Sequence, residues 1–391
     1  MVISLPRFFT DRFILTPGPT EIPMRIRIAM IREETNPDLD PGFLELYKRV
    51  SDKLKRLLGI GKSNLYTMVG EAMLGLEAAI ANIVRRGDKV LVVSNGVFGE
   101  GFADLVKMYG GVPVIIEGDW RRSIDLGNVE RALERNKDAR MLTIVHCDTP
   151  SAIINPVEEV SRIARSFGII TVVDAVSSIG GVPINVDGPG IDILIGGSQK
   201  ALNVPPGLTI MSISNHAWEE IDRSNYQGFY LNLRLWREYL DKQGIFPYTF
   251  SDPLLRALDE ALNMIFEEGV ENVYERHRKA REASWRALEA AGLKPYPVSR
   301  EHSSPTVTAI EIPTGVDEAR LREIMWNKYG VMIAGSWGKL AGKVIRIGHM
   351  GVQASRNHLI IAFTALARAL RDMGYRINIG SVIEAIESTY T

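Results

Sequence analysis

The chain has 391 residues, enough for one large domain and a smaller one. Hydrophobic residues make up 46% and charged residues 24%, with 46 basic side chains against 47 acidic ones, so no global field draws the protein to nucleic acid or anionic lipid. The single cysteine, Cys147, excludes an intrachain disulfide and a cysteine-rich metal site.

In chain order, residues 1–12 read as an arm. Pro6 and Arg7 interrupt the apolar stretch that a signal peptide needs, and no segment approaches the ~20 apolar residues of a spanning helix. A cytoplasmic location is expected. Leu65–Val69 reads as a strand ended by Gly70, and Glu71 to Val84 as a helix. Lys89–Ser94, Val112–Ile116, Arg140–His146, Gly168–Asp174, Asp192–Gly197 and Leu208–Ile213 are short apolar runs that read as buried strands. Amphipathic segments separate several of them; Val157, Val160, Ile163, Ala164 and Phe167 recur at helical spacing. Strand and helix in alternation predict an α/β fold with a mainly parallel sheet covered on both faces, in a large domain over 13–268. From 269 to 391 the pattern changes to that of a smaller α+β domain. A charged helix over Val270–Ala291 precedes a strand at Thr306–Ile312, a helix over Val316–Tyr329 and a strand at Lys343–Ile347. A helix striped by Leu359, Ile360, Phe363, Leu366, Ala367 and Leu370 follows, and the tail after Tyr375 reads as one more short helix.

Ligands of such sheets lie beyond the carboxyl ends of the strands. There the chain offers Gly196-Gly-Ser-Gln-Lys200-Ala-Leu-Asn-Val-Pro-Pro-Gly207, a strand ending in two glycines that presents a lysine. A lone lysine in that position is ordinarily a solvated surface residue. Asp174 ends another apolar run twenty-six residues earlier. A carboxylate in a central strand requires a partner, because an unpaired buried charge is costly. Two readings stand: a structural hydrogen bond to the Ala175–Gly180 loop, or a pairing with the protonated nitrogen of a pyridine ring, which keeps that ring an electron sink.

In its motifs the sequence resembles the class V aminotransferases of the aspartate aminotransferase fold, specifically the alanine/serine–glyoxylate and serine–pyruvate group. The resemblance rests on Thr16-Pro-Gly-Pro19, Asn95-Gly-Val-Phe98-Gly, Asp174-Ala-Val-Ser-Ser-Ile-Gly-Gly181, the Lys200 loop and Lys343-Val-Ile-Arg346-Ile-Gly348, in that order along the chain. It implies a fold-type-I enzyme that moves the amino group of alanine or serine to glyoxylate or pyruvate with pyridoxal 5′-phosphate. Lys200 holds the cofactor as a Schiff base and shuttles the substrate proton, and Asp174 binds the ring nitrogen. Val176 and Phe98 flank the ring, and Thr149 bonds its phenolic oxygen. Gln199 and the backbone of Glu71, Ala72 and Met73 hold the phosphate, while Arg346 takes the substrate carboxylate beside Gly18. Tyr248 and Ser251 match positions that reach the phosphate in the partner subunit, which implies a homodimer with shared sites.

Three departures matter. Glu71-Ala72-Met73 replaces small, hydroxyl-bearing or glycine residues, and a glutamate beside a phosphate is repulsive unless its side chain turns away. Phe98 stands where tryptophan is frequent, yet can still stack. The run Glu-Thr-Ser-Thr-Gly becomes Asp148-Thr-Pro-Ser-Ala152, and Pro150 removes a backbone donor. Other features carry less. Gly61-Lys62-Ser63 lacks the upstream glycine of a phosphate loop, since Arg56 occupies that position. The six histidines show no ligand spacing, so no metal is expected. A cysteine desulfurase would need a mobile cysteine late in the chain, where there is none. Two alternatives to the transaminase remain: a lyase or a transaminase for a less common amine on the same scaffold, and a non-catalytic binding protein, against which the lysine–aspartate pair speaks.

Overall fold

The computed structural model describes residues 12–391, so all but the last residue of the expected N-terminal arm lies outside it. Seven strands form the main sheet, in the order Asn64–Val69, Leu208–Ile213, Ile193–Gly197, Ile170–Asp174, Met141–Val145, Lys89–Ser94, Val112–Glu117. Every strand read from the sequence is present within a residue or two of its expected ends. Five neighbouring strands run parallel. Leu208–Ile213 runs antiparallel to both its neighbours, which follows from the short Lys200 loop that turns the chain back along the sheet. The inner strands are buried on both faces, which explains their unbroken apolar runs.

A second sheet, in the order Val307–Glu311, Val344–Gly348, Ala334–Gly335, is antiparallel and shares a core with Val270–Ala291, Glu318–Tyr329, Arg356–Asp372 and Ile379–Glu387. Phe13–Ile14 pairs with Val331–Met332, and Leu15 is fully buried in this second core. These three residues therefore pack with the C-terminal unit, although the sequence reading groups them with residues up to 268. Two helices start later than their apolar pattern suggests. The one expected from Val316 begins at Glu318 because Asp317 accepts the N–H of Arg320 as its cap. The one expected over Glu71–Val84 is Met73–Ala81.

Candidate active site

Six segments at or beyond strand ends meet in one cleft of about 340 Å³, lined among others by Gly18, Glu71, Phe98, Asp174, Lys200 and Trp337. Lys200 sits three residues past Ile193–Gly197. Its loop is held by Asn203, a non-glycine residue at φ 53°, whose amide donates to Thr20 Oγ1 (3.0 Å) and the Met350 carbonyl (3.2 Å) and accepts from Val352 N–H (2.8 Å). These three bonds offset the left-handed backbone. The Lys200 ammonium donates to the Pro17 carbonyl at 2.8 Å. Gly18, at φ 102°, lets the lysine stem pass; a Cβ there would stand 2.6 Å from Nζ.

Asp174 is the last residue of its strand and is 5% exposed. Among the described residues its carboxylate accepts one hydrogen bond, from Val176 N–H at 2.9 Å. Burial pushes this carboxyl up to about 6, against the pull of that N–H and of Lys200. Burial pushes the Lys200 amine down to about 8; the Arg346 charge adds to this and Asp174 opposes it. The cleft thus holds an amine that is in part neutral near neutral pH, and a buried carboxylate whose charge that amine offsets only in part.

Phe98 lies in the first turn of Val97–Met108, with its N–H donating to Asp148 Oδ2 at 2.8 Å. Asp148 is buried and also accepts the N–H (3.2 Å) and hydroxyl (2.9 Å) of Ser151. Burial raises its carboxyl while those donors lower it. Arg346, 4% exposed, donates Nε to the Gly335 carbonyl at 2.7 Å, and its guanidinium lies 5.1 Å from the Trp337 ring centre. Burial lowers it to about 10, with Asp148 opposing, so it stays cationic at neutral pH. Thr149 is buried with Oγ1 3.5 Å from Arg346 Nη1, a long contact, and neither residue lines the cleft wall itself. The Pro150 carbonyl accepts the Ser336 hydroxyl at 3.0 Å, tying this loop to the segment that carries Trp337.

Val176, Gln199, Glu71, Ala72 and Met73 all line the cleft. Gln199 Oε1 is buried without a hydrogen-bond partner among the described residues. Met73–Ala81 begins at Ala72 with no side-chain cap; the N–H groups of Leu74 and Gly75 bond the Glu71 and Ala72 carbonyls, which leaves those of Ala72 and Met73, among the described residues, available to an anion. Tyr248 and Ser251 are not among the lining residues. Tyr248 stacks on Tyr230 at 4.5 Å and accepts Trp236 Nε1 at 3.0 Å, and Ser251 precedes Asp252–Glu268. The sequence reading passed over Pro19, Leu76, Ser177, Pro206 and Trp337 as lining residues. For Trp337 a signal existed, an aromatic between glycines nine residues before Arg346.

Other singled-out residues are structural. His146 Nδ1 meets Ser178 Oγ at 2.9 Å, and burial holds its ring neutral, down to about 4. Burial pushes the Cys147 thiol up to about 12, which makes it inert. The N–H groups of Gly61 and Lys62 and the Ser63 hydroxyl each donate to Asp187 at 2.6 Å, so that loop already holds an anion. Among the described residues no acidic, histidine or cysteine cluster is arranged for a metal, and no helix is long and apolar enough to cross a membrane.

A stability effect follows from Lys200. Between about pH 8 and 10.5 the unfolded chain keeps a proton on this amine that the folded chain has released, so stability rises with pH across that window. Below pH 8 the full penalty, about 3 kcal/mol at ~1.4 kcal/mol per tenfold, weighs on the cofactor-free protein. Cofactor-free Lys200→Met is therefore expected to be more stable than wild type at pH 7, with the advantage vanishing above about pH 10.5. Denaturant melts at several pH values measure it, and a difference that does not vary with pH contradicts it.

The class-V aminotransferase family model matches residues 35–355. The chain is 35% identical to pyridoxamine–pyruvate transaminase of Mesorhizobium japonicum, over 89% of each chain. It is 34% identical to serine–glyoxylate aminotransferase of Methylorubrum extorquens, over 96% of this chain and 95% of the other. The crystal structure of ureidoglycine–glyoxylate aminotransferase from Bacillus subtilis superposes with a TM-score of 0.93 at 28% identity, covering 99% of both chains. The family depends on pyridoxal 5′-phosphate. The cleft suits the ring of that group: a buried amine lies within Coulombic reach of a buried carboxylate that has, among the described residues, a single donor, and Phe98 and Val176 also line it. With fold, cleft and family model in agreement, the chain belongs to the class V aminotransferases, pyridoxal-phosphate enzymes of fold type I.

Proposed function

We propose that the protein transfers the amino group of a small amino acid, alanine or serine, to glyoxylate or pyruvate. The observation that carries this reading is the buried cation Arg346, close enough to Lys200 to depress its amine, beside a cleft of only about 340 Å³. A carboxylate paired with Arg346 would gain charge-assisted hydrogen bonds in a poorly hydrated place, and little room is left for a long side chain. The bound cofactor supplies an electron sink for the bond that breaks at the donor's Cα. Lys200 would hold the cofactor and would take the Cα proton of the donor and return it. Asp174 would pair with the ring nitrogen, Phe98 and Val176 would flank the ring, and Arg346 would orient the donor so that its Cα–H faces Lys200. Gln199 and the backbone of Glu71, Ala72 and Met73 are assigned to the phosphate, and Thr149 to the phenolic oxygen. Tyr248 and Ser251, away from their own cleft, are assigned to the site of a second subunit in a homodimer. The 34% identical relative is named for serine and glyoxylate, which supports the donor and acceptor class. A cytoplasmic location goes with this reading.

A panel of amino donors against glyoxylate and pyruvate, with products identified, tests it. Alanine or serine should lead. A panel in which neither is turned over, or in which an elimination product dominates, contradicts it.

Glu71 favours a second reading, a transaminase for a less common amine. The cleft end assigned to a phosphate carries a carboxylate and, from Glu71 to Met73, neither hydroxyl nor cation. Like charges there repel. Unphosphorylated pyridoxamine, the amine for which the 35% identical relative is named, carries a hydroxymethyl group that could instead donate to Glu71. Glu71→Ser is expected to tighten pyridoxal phosphate about tenfold, ~1.4 kcal/mol, with pyridoxal little changed or weakened. Titration of both vitamers into both proteins measures this. Wild type that prefers the phosphorylated form supports the first reading, and wild type that prefers pyridoxal supports the second. A substitution that leaves both affinities unchanged removes Glu71 from the argument.

A further inference from the structure

We propose that Trp337 is the residue that sets the side-chain size of the amino acid accepted, by roofing the cleft directly beside the carboxylate-binding arginine. The inference rests on the reading of Arg346 as the carboxylate partner and extends it to a residue for which no role has been assigned. Trp337 lines the same cleft as Lys200, yet 55% of its surface is exposed. A large apolar ring left half open beside a cleft is surface available to a ligand. Its position is fixed from two sides. The ring meets Phe98 edge-on, with centres 5.9 Å apart and planes at 86°, and the Arg346 guanidinium lies 5.1 Å from its centre.

The chain on either side of Trp337 is anchored. Ser336 bonds the Pro150 carbonyl, and Leu340 is 4% exposed. Lys339 pairs with Glu100 at 2.9 Å and lies 4.6 Å above the Trp120 ring. The ion pair is exposed and worth little on its own. Burial of Leu340 and the Ser336 bond carry most of the anchoring, so the indole is held in place rather than free to swing away. Arg346 spends Nε on the Gly335 carbonyl, which leaves its Nη groups as the donors for a carboxylate. An amino acid paired there has its Cα substituent within reach of the indole. A methyl or hydroxymethyl group fits beneath such a roof, whereas a branched or aromatic side chain must displace it.

The test uses holoenzyme of wild type, Trp337→Phe and Trp337→Ala. With glyoxylate as acceptor, kcat/KM is measured for alanine, leucine and phenylalanine. Trp337→Ala is expected to raise the phenylalanine-to-alanine ratio about tenfold or more, mostly through KM, with Trp337→Phe in between. Acetate and phenylacetate, which cannot react, are titrated calorimetrically into the same proteins. Trp337→Ala should gain affinity for phenylacetate about tenfold and keep acetate within about threefold. Unchanged ratios in both measurements overturn the proposal. Acetate lost as strongly as phenylacetate also overturns it, since Trp337 would then serve to hold Arg346. A wild type that turns over no amino acid would sink the transaminase reading instead, and the carboxylate titration would still decide the role of Trp337. Because the ring is half exposed, neither substitution should unfold the chain, and melting temperatures check this.

Discussion

Replacing Lys200 by alanine is expected to lower transamination by about 10⁴-fold or more while leaving a folded protein. Proton transfer by a positioned side chain alone contributes ~10²–10⁴, and loss of the covalent hold on the cofactor removes more of the rate. The fold should persist because the amine is a net cost to it. Burial drives the ammonium down to about 8, and its one hydrogen bond goes to the Pro17 carbonyl, which can turn to water once the cleft is wider. Circular dichroism and melting temperature check the fold, and single-turnover transfer checks the chemistry. Exogenous propylamine, which matches the three carbons and the amine removed, should restore part of the rate. Turnover near wild type in Lys200→Ala would remove the lysine from the reaction.

Arg346→Ala is expected to raise KM for the amino donor by about 30-fold or more. Truncating one side of a buried charge pair costs ~2–5 kcal/mol, and here the loss has two parts. The substrate carboxylate loses its donors, and Asp148, buried beneath Phe98, loses the nearby cation that offsets its charge. Arg346→Lys should recover only part of the binding, since an ammonium cannot present two parallel donors. An unchanged KM would contradict the carboxylate role.

Much of this was legible in the sequence, for reasons that can be named. Buried parallel strands need apolar residues on both faces, so the runs from Lys89–Ser94 to Leu208–Ile213 stand out without an alignment. Because the site lies past strand ends, Asp174, Lys200 and Phe98 could be located by counting on from those runs. What depends on direction or distance was hidden. Nothing local in Leu208–Ile213 marks it as the antiparallel strand. The pairing of Phe13–Ile14 with Val331–Met332 joins segments more than 300 residues apart and leaves no pattern in either. The Asp317 cap was readable and overlooked. Trp337 could be seen as an aromatic between glycines, but the aim of its ring is set by the burial of Leu340 and the contact with Phe98. Thr149 and Arg346, the latter in the strand Val344–Gly348, meet across almost 200 residues, and the Ser336–Pro150 bond ties the Thr149 loop to the segment that carries Trp337; no spacing in the sequence announces either contact.

Borohydride reduction followed by peptide mapping decides whether Lys200 is the amine that carries the cofactor. Holoenzyme reduced and digested should yield one modified peptide, spanning Lys200, with the added mass of a reduced pyridoxyl group. The presence or absence of phosphate in that mass also separates the two readings of Glu71. Recovery of Lys200 unmodified, with the label on another lysine or on none, would contradict the account.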